Sequence, residues 1–122
     1  MNGAPHLALG RAAEAAAALL LERSGYRILT SNFRAKGGEL DLVAMDGTAL
    51  AIVEVRYRAS DRFGGAAASI TAGKRSRIVR AARALLATQP ALARFPARFD
   101  VVEVTGSSNA LDCRLIKGAF SL

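Results

Sequence analysis

Two short apolar runs of this sequence, Glu39 to Met45 and Ala49 to Tyr57, carry the residues best suited to chemistry: Glu39 and Asp41 in the first, Glu54 and Arg56 in the second. Asp46-Gly47, a dipeptide typical of two-residue hairpin loops, lies between them and predicts an antiparallel hairpin. With that loop, Asp41 faces Ile52 and Glu39 faces Glu54. Side chains alternate along a strand, so Glu39, Asp41, Glu54 and Arg56 project from one face. Three carboxylates then crowd onto a mostly apolar surface. Opposed like charges destabilise a sheet, and buried carboxylates must be paired, protonated or metal-bound. Arg56 offers one positive charge against three negative ones, a deficit that a hard divalent ion with oxygen ligands, such as Mg²⁺, would fill. Plainer readings stand beside this one. Glu54 and Arg56 form an ordinary ion pair on a strand face, Glu39 pairs with Arg34 or Lys36, and Glu14 pairs with Arg11 three residues earlier on a helix.

The elements that position these residues follow from pattern. An Ala- and Leu-dominated stretch from about residue 8 to Arg23, closed by Ser24-Gly25, predicts a first helix. Tyr26 to Arg34 is rich in β-formers and ends at Lys36-Gly37-Gly38, which predicts a strand and a turn. Both hairpin runs are apolar on both faces, as central strands covered by helices are. Ala59 to Ser69 is a Gly- and Ala-rich loop, and Thr71 is a plausible N-cap for a second helix ending near Thr88, before Pro90. Phe99 to Val104 predicts a strand, Gly106 to Asn109 a turn, and Leu111 to Ile116 a last strand. This order makes an α/β fold with a mixed sheet and helices packed against it, in one domain over 1–122 with its core at about 10–120.

Composition narrows the partners. Seventeen Lys and Arg against ten Asp and Glu give a net charge of +7 and a pI near 10.8, which favours polyanions. No basic amphipathic helix carries large apolar anchors, so nucleic acid is preferred to membrane. On the second helix, Ile78, Val79, Ala82, Leu85 and Leu86 fall in one apolar arc, and Lys74, Arg77, Arg80 and Arg83 cover most of the rest. No acid interrupts this helix, which predicts phosphate contact. Its polar face lacks the Asn and Gln that read base edges. The single Cys113 excludes an internal disulfide, fits a reducing compartment and has no His to activate it, so it reads as a packed residue. Lone His6 argues against zinc sites and His-based triads. Met1 to Gly10 lacks the features of a signal peptide. Ala12 to Leu21 falls short of the ~20 apolar residues that a bilayer requires. A cytoplasmic protein is expected.

The string Gly38-Glu39-Leu40-Asp41-Leu42-Val43, followed by Ile52-Val53-Glu54-Val55-Arg56-Tyr57-Arg58, resembles the nuclease motif in which Asp is followed, one hairpin later, by Glu-x-Lys. Further strings resemble the YraN family of uncharacterised bacterial proteins: Gly10 and Glu14, Gly25-Tyr26-x-Ile28-Leu29 with Asn32, Phe63-Gly64, Lys74 with Arg77-Ile78, Arg98-Phe99-Asp100-Val101-Val102, and Ile116-Lys117-x-Ala119-Phe120. The resemblance spans about residues 10 to 120 in order. It implies the restriction-endonuclease-like fold shared with Holliday-junction resolvases, with Asp41 and Glu54 holding Mg²⁺ or Mn²⁺ and Glu14 approaching from the first helix. Arg56 stands where the motif has Lys. It keeps the positive charge and would stabilise the negative transition state, but its planar fork differs from a compact ammonium and it cannot lose its proton; Lys36 or Lys74 could also reach the site, from a loop or from the second helix. The expected activity is metal-dependent hydrolysis of phosphodiester bonds in DNA, on intermediates of repair, recombination or uptake. Arg34, Lys36, Arg58, Lys74, Arg77, Arg80 and Arg83 would then bind the backbone. The alternatives are an inactive nucleic-acid-binding module of the same fold and an adaptor whose basic surface meets an acidic protein. Many proteins of this fold act as dimers, so a homodimer is a further expectation.

Overall fold

The structure, a computed structural model, describes residues 4–58, 70–107 and 109–120, with side chains from Gly10 onward. The predicted loop at Ala59 to Ser69 lies outside the described residues. Helix α1 spans Ala4–Arg23, and strands β1 (Arg27–Ala35), β2 (Gly38–Asp46) and β3 (Ala49–Tyr57) follow. Helix α2 (Ala72–Thr88) and a short 3-10 turn precede β4 (Ala97–Ser107) and β5 (Ala110–Phe120). Thr71 caps α2 as predicted, its hydroxyl accepting from the Lys74 N–H. Both ends of the chain are more regular than the pattern predicts: α1 begins earlier, and β4 and β5 are longer.

The five strands form one sheet in the order β1-β2-β3-β4-β5. Neighbours are antiparallel except β3 and β4, which run parallel. Parallel neighbours need a long crossover, and α2 lies in it. Each helix covers one face. Ala13, Ala17 and Leu21, spaced four apart on α1, pack on Leu42, Ala44, Ala51, Val53, Val102 and Val104. Ile78, Ala81 and Leu85 of α2 pack on Val43, Met45, Leu50, Ile52, Phe99 and Val101. The fold is thus the expected α/β arrangement, a mixed sheet between two helices of restriction-endonuclease-like type. Among the described residues no helix is long and apolar enough to cross a membrane.

The hairpin register differs from the sequence-based one. Asp46 pairs with Ala49, so the loop is Gly47-Thr48. Gly47 adopts φ +61° at the first loop position, where type II′ turns take glycine. Asp46 stays in the strand because its carboxylate is held there, accepting from Arg98 at 2.8 Å and Lys117 at 3.0 Å. The register moves by two residues, which keeps the paired residues from Leu42 to Asp46 on their expected faces; a one-residue slip would have reversed them.

Arg98 is the centre of a network that ties the sheet together at that end. Its guanidinium also donates to both carboxylate oxygens of Asp100 and to the Tyr26 hydroxyl. Asp100, with no exposed surface, further accepts from the Tyr26 hydroxyl at 2.8 Å and the Gly118 N–H at 3.0 Å. Burial alone would raise the Asp100 pKa, but the Arg98, Gly118 and Tyr26 donors overcome it and hold the carboxyl below its ordinary 3.8. Removing one partner from such a buried set costs about 3–5 kcal/mol, so Asp100→Ala is expected to lower the melting temperature far more than Tyr26→Phe, which removes hydrogen bonds worth about 1–3 kcal/mol. Because the folded pKa is depressed, this stabilisation is complete above pH 3.8 and is lost as pH falls below it. Thermal unfolding of both variants at pH 3 and pH 6 checks the prediction; equal losses in the two variants would contradict it.

Candidate metal and phosphate site

The site forms where the β2–β3 ladder stops. Its last pair is Leu42 with Val53, and one step further the same register sets Asp41 opposite Glu54. Asp41 ends the ladder itself: its Oδ2 accepts the Val55 N–H at 2.9 Å, a donor that strand pairing would otherwise engage. Alternation along β2 breaks at the same point. Leu40 packs on the α2 side together with Val43, whereas Leu42 packs on the α1 side. In β1 the residue at this level, Asn32, is the one non-glycine with positive φ, +53°, among the described residues. Asn tolerates this left-handed conformation better than most residues. Its amide donates to Glu14 Oε2 at 3.3 Å, which joins α1 to the site through β1.

Glu54 is 3% exposed, and its Oε1 is buried with no hydrogen-bond partner among the described residues. Burial, and after it the negative charge of Asp41, push its carboxyl up to about 8 from the ordinary 4.5, while Lys74 pulls it down. Glu14 is also raised, first by burial and then, against the Asn32 hydrogen bond, by the charges of Asp41 and Glu39. Glu14 therefore senses the cluster without lining its cleft.

That cleft, about 530 Å³, is lined by Arg34, Glu39, Asp41, Glu54, Lys74 and Arg77, with Ala35, Gly38 and Ile78. Its wall depends on Gly38, where a Cβ would stand 2.1 Å from the Arg77 carbonyl oxygen. Only glycine lets β2 lie directly on the α2 backbone, and that contact brings Lys74 and Arg77 over the carboxylates. The sequence-predicted residues are thus partly assembled. Asp41, Glu54, Lys74, Arg34 and Arg77 share the cleft, and Glu39 is spanned by Arg34 at 3.6 Å on its exposed rim, the plainer of its two readings. Arg80 passes over the β1–β2 turn, its Cδ 3.5 Å from where a Cβ on Gly37 would lie. Lys36 and Arg83 are exposed and outside the cleft, and Arg58 extends β3 through its N–H to the Val104 carbonyl at 2.8 Å.

Arg56 does not line the cleft. It stands in register with Glu103 of β4, a buried acid whose carboxylate accepts from Arg114 of β5 at 3.2 Å. Sequence reasoning passed over Glu103; an acid inside the run Val101-Val102-Glu103-Val104 was the available signal. Cys113 is half-buried, and burial followed by the charge of Asp112 raises its thiol pKa, which leaves it protonated.

Two facing carboxylates with an unsatisfied buried oxygen fit a divalent cation. Mg²⁺ commonly takes one or two protein carboxylates and fills its remaining positions with water and phosphate oxygen. Among the described residues no group of three or more His, Cys, Asp or Glu is arranged to hold one ion, so this pair is what the protein would contribute.

The model of the uncharacterised protein family UPF0102 matches residues 13–104, a span that contains Glu14, Asp41, Glu54, Arg56 and Lys74. This chain belongs to the UPF0102 family. A UPF0102 protein of Xanthomonas euvesicatoria is 53% identical over 102 residues, 84% of each chain. One of Dechloromonas aromatica is 50% identical over 114 residues, 93% of this chain and 89% of that one, and one of Stutzerimonas stutzeri is 42% identical over 111 residues, 91% and 92% of the two. UPF0102 is the family that the sequence strings resemble under the name YraN.

The raised Glu54 pKa has a measurable consequence. The unfolded chain releases this proton near pH 4.5, and the folded chain keeps it until about 8. Stability without metal should therefore fall as pH rises through that window and level off above it, Glu14 acting in the same direction. Glu54→Gln should remove most of the slope. Denaturant unfolding from pH 5 to pH 9 in chelator tests this, and parallel curves for both proteins would exclude Glu54 as the responsible group.

Proposed function

We propose that this UPF0102 protein is a Mg²⁺- or Mn²⁺-dependent nuclease-like protein that hydrolyses phosphodiester bonds in DNA. The observation that carries this reading is Glu54 Oε1, buried and unsatisfied among the described residues, beside Asp41 in a cleft whose cationic walls are Arg34, Lys74 and Arg77. Asp41 and Glu54 bind the ion, and Glu14, through Asn32, fixes the strand that faces them. When bound, the ion supplies acidified water and neutralises phosphate charge. Arg34 and Arg77 hold the scissile phosphate over the carboxylates, and exposed Arg80, Arg83 and Lys36 extend the cationic track for the backbone on either side. Lys74 provides the compact ammonium that the motif lacks at Arg56. It sits in the cleft, lowers the Glu54 pKa by its charge, and can stabilise negative charge developing on a phosphoryl oxygen. Arg56, beside Glu103, belongs to the adjoining row and supports the site from there.

A second reading is a binding module of the same fold that has lost turnover. Arg56 in place of Lys favours it, as does a metal site reduced to two carboxylates. Incubation with duplex, single-stranded and branched DNA and either metal separates the two, with Asp41→Ala as control. Lys74→Ala is expected to lower cleavage by at least a hundredfold while DNA affinity changes only a few-fold, and Arg56→Lys should leave cleavage within tenfold of wild type. A wild type inert on every substrate but still bound to DNA would establish the module. Binding itself should weaken steeply with salt, and replacing Arg77, Arg80 and Arg83 together with Gln should reduce the log-log slope by about two to three, near 0.9 per lost phosphate contact. An unchanged slope would remove α2 from the interface.

A further inference from the structure

The sheet has two edges, and they differ. β1 is interrupted by a register shift between Ile28 and Thr30 and by the left-handed Asn32, irregularities that protect an edge from further pairing. β5 is regular from Ala110 to Ile116, paired to β4 without a shift over that stretch, and among the described residues its other side has no neighbouring strand. Beside it lies a hollow of about 280 Å³ lined by Ala16, Leu19, Leu20 and Arg23 of α1 with Leu111 and Cys113 of β5. Among the described residues, Leu19, 46% exposed, is the one large apolar side chain left in solvent.

We propose that two copies of this chain join along β5, the strands pairing antiparallel about a two-fold axis at Cys113. This register is self-complementary. Asp112 meets Arg114 of the second copy and Leu111 meets its Leu115. Asp112 and Arg114 are exposed on the α2 side, and Arg114 already reaches the buried Glu103 from there, so the junction becomes a row of alternating charges. Leu111, Cys113 and Leu115 lie on the α1 side, where the two hollows meet and Leu19 of each copy is covered. The unused N–H and C=O groups of β5 find partners, and a five-stranded sheet becomes one of ten. A two-fold axis perpendicular to the sheet leaves both α2 faces on the same side. The two β3 strands then stand five strand spacings apart, about 24 Å, so two clefts would address one nucleic acid if the proposed activity holds.

The test needs neither metal nor DNA, so its failure is separate from that of the nuclease reading. Sedimentation equilibrium in reductant should give about twice the monomer mass of 12.8 kDa at tens of micromolar, and Asp112→Lys should raise the dimer dissociation constant at least tenfold, as should Leu19→Gln, with melting of the dilute monomers unchanged. Paired residues of antiparallel strands have Cα atoms about 4.5–5.5 Å apart, within disulfide range, so copper-catalysed oxidation should link the wild type through Cys113 and should link Asp112→Lys much more slowly. A monomer at every concentration overturns the proposal. A dimer insensitive to Asp112→Lys and not linked through Cys113 uses another surface and overturns it equally.

Discussion

Two carboxylates facing each other at the end of a ladder, one with a buried oxygen that no group in the described chain satisfies, set the terms for everything around them. Asp41 diverts its own side chain to the Val55 N–H, which stops the β2–β3 pairing and opens the space that a cleft requires. Gly38 then admits the α2 backbone at a distance no side chain allows, and α2 delivers Lys74 and Arg77 over the acids. Lys74 on the wall lessens the repulsion between Asp41 and Glu54 without ending it, and the proposed divalent ion would supply the rest of the compensation.

The molecule contains the opposite solution to the same problem. Asp100 is as deeply buried as Glu54, yet Arg98, Tyr26 and the Gly118 N–H satisfy it and its pKa falls, whereas that of Glu54 rises. A carboxylate with all its partners in place holds elements together; here it joins β4 to the turn after α1, to the β2 end of the hairpin and to β5. A carboxylate left short of partners is unstable unless something external completes it, and environments that drive like groups apart commonly mark functional ones. The strongest structural cluster and the strongest candidate site stand close together in the sheet, Asp100 being in register with Val53, the neighbour of Glu54.

Much of this was legible in the sequence because period two is a strong code. It put Asp41 and Glu54 on a common face even with the loop misplaced by one residue, since a two-residue slip does not exchange faces; the break in alternation at Leu40 was not legible. The slip itself was not legible: Asp46 reads as a turn residue, and only Arg98 and Lys117, 52 and 71 residues away, retain it in the strand. The parallel pairing of β3 with β4 was equally hidden, and with it the meeting of Arg56 and Glu103. Lys74 was visible as one cation of a basic helix. That it, rather than Lys36, enters the cleft depends on how closely Gly38 lets α2 approach, a tertiary distance that no local pattern encodes.

The central claim is that the protonated Glu54 carboxyl and Asp41 form the ion site, and proton release on metal binding tests it most directly. Calorimetric titration with Mn²⁺ at pH 7, in buffers of different ionisation enthalpy, should register about one proton displaced per ion, because Glu54 must ionise to bind. The count should fall toward zero at pH 9 and vanish at both pH values in Glu54→Gln. Binding without proton release at pH 7, or the same release from Glu54→Gln, would contradict the account.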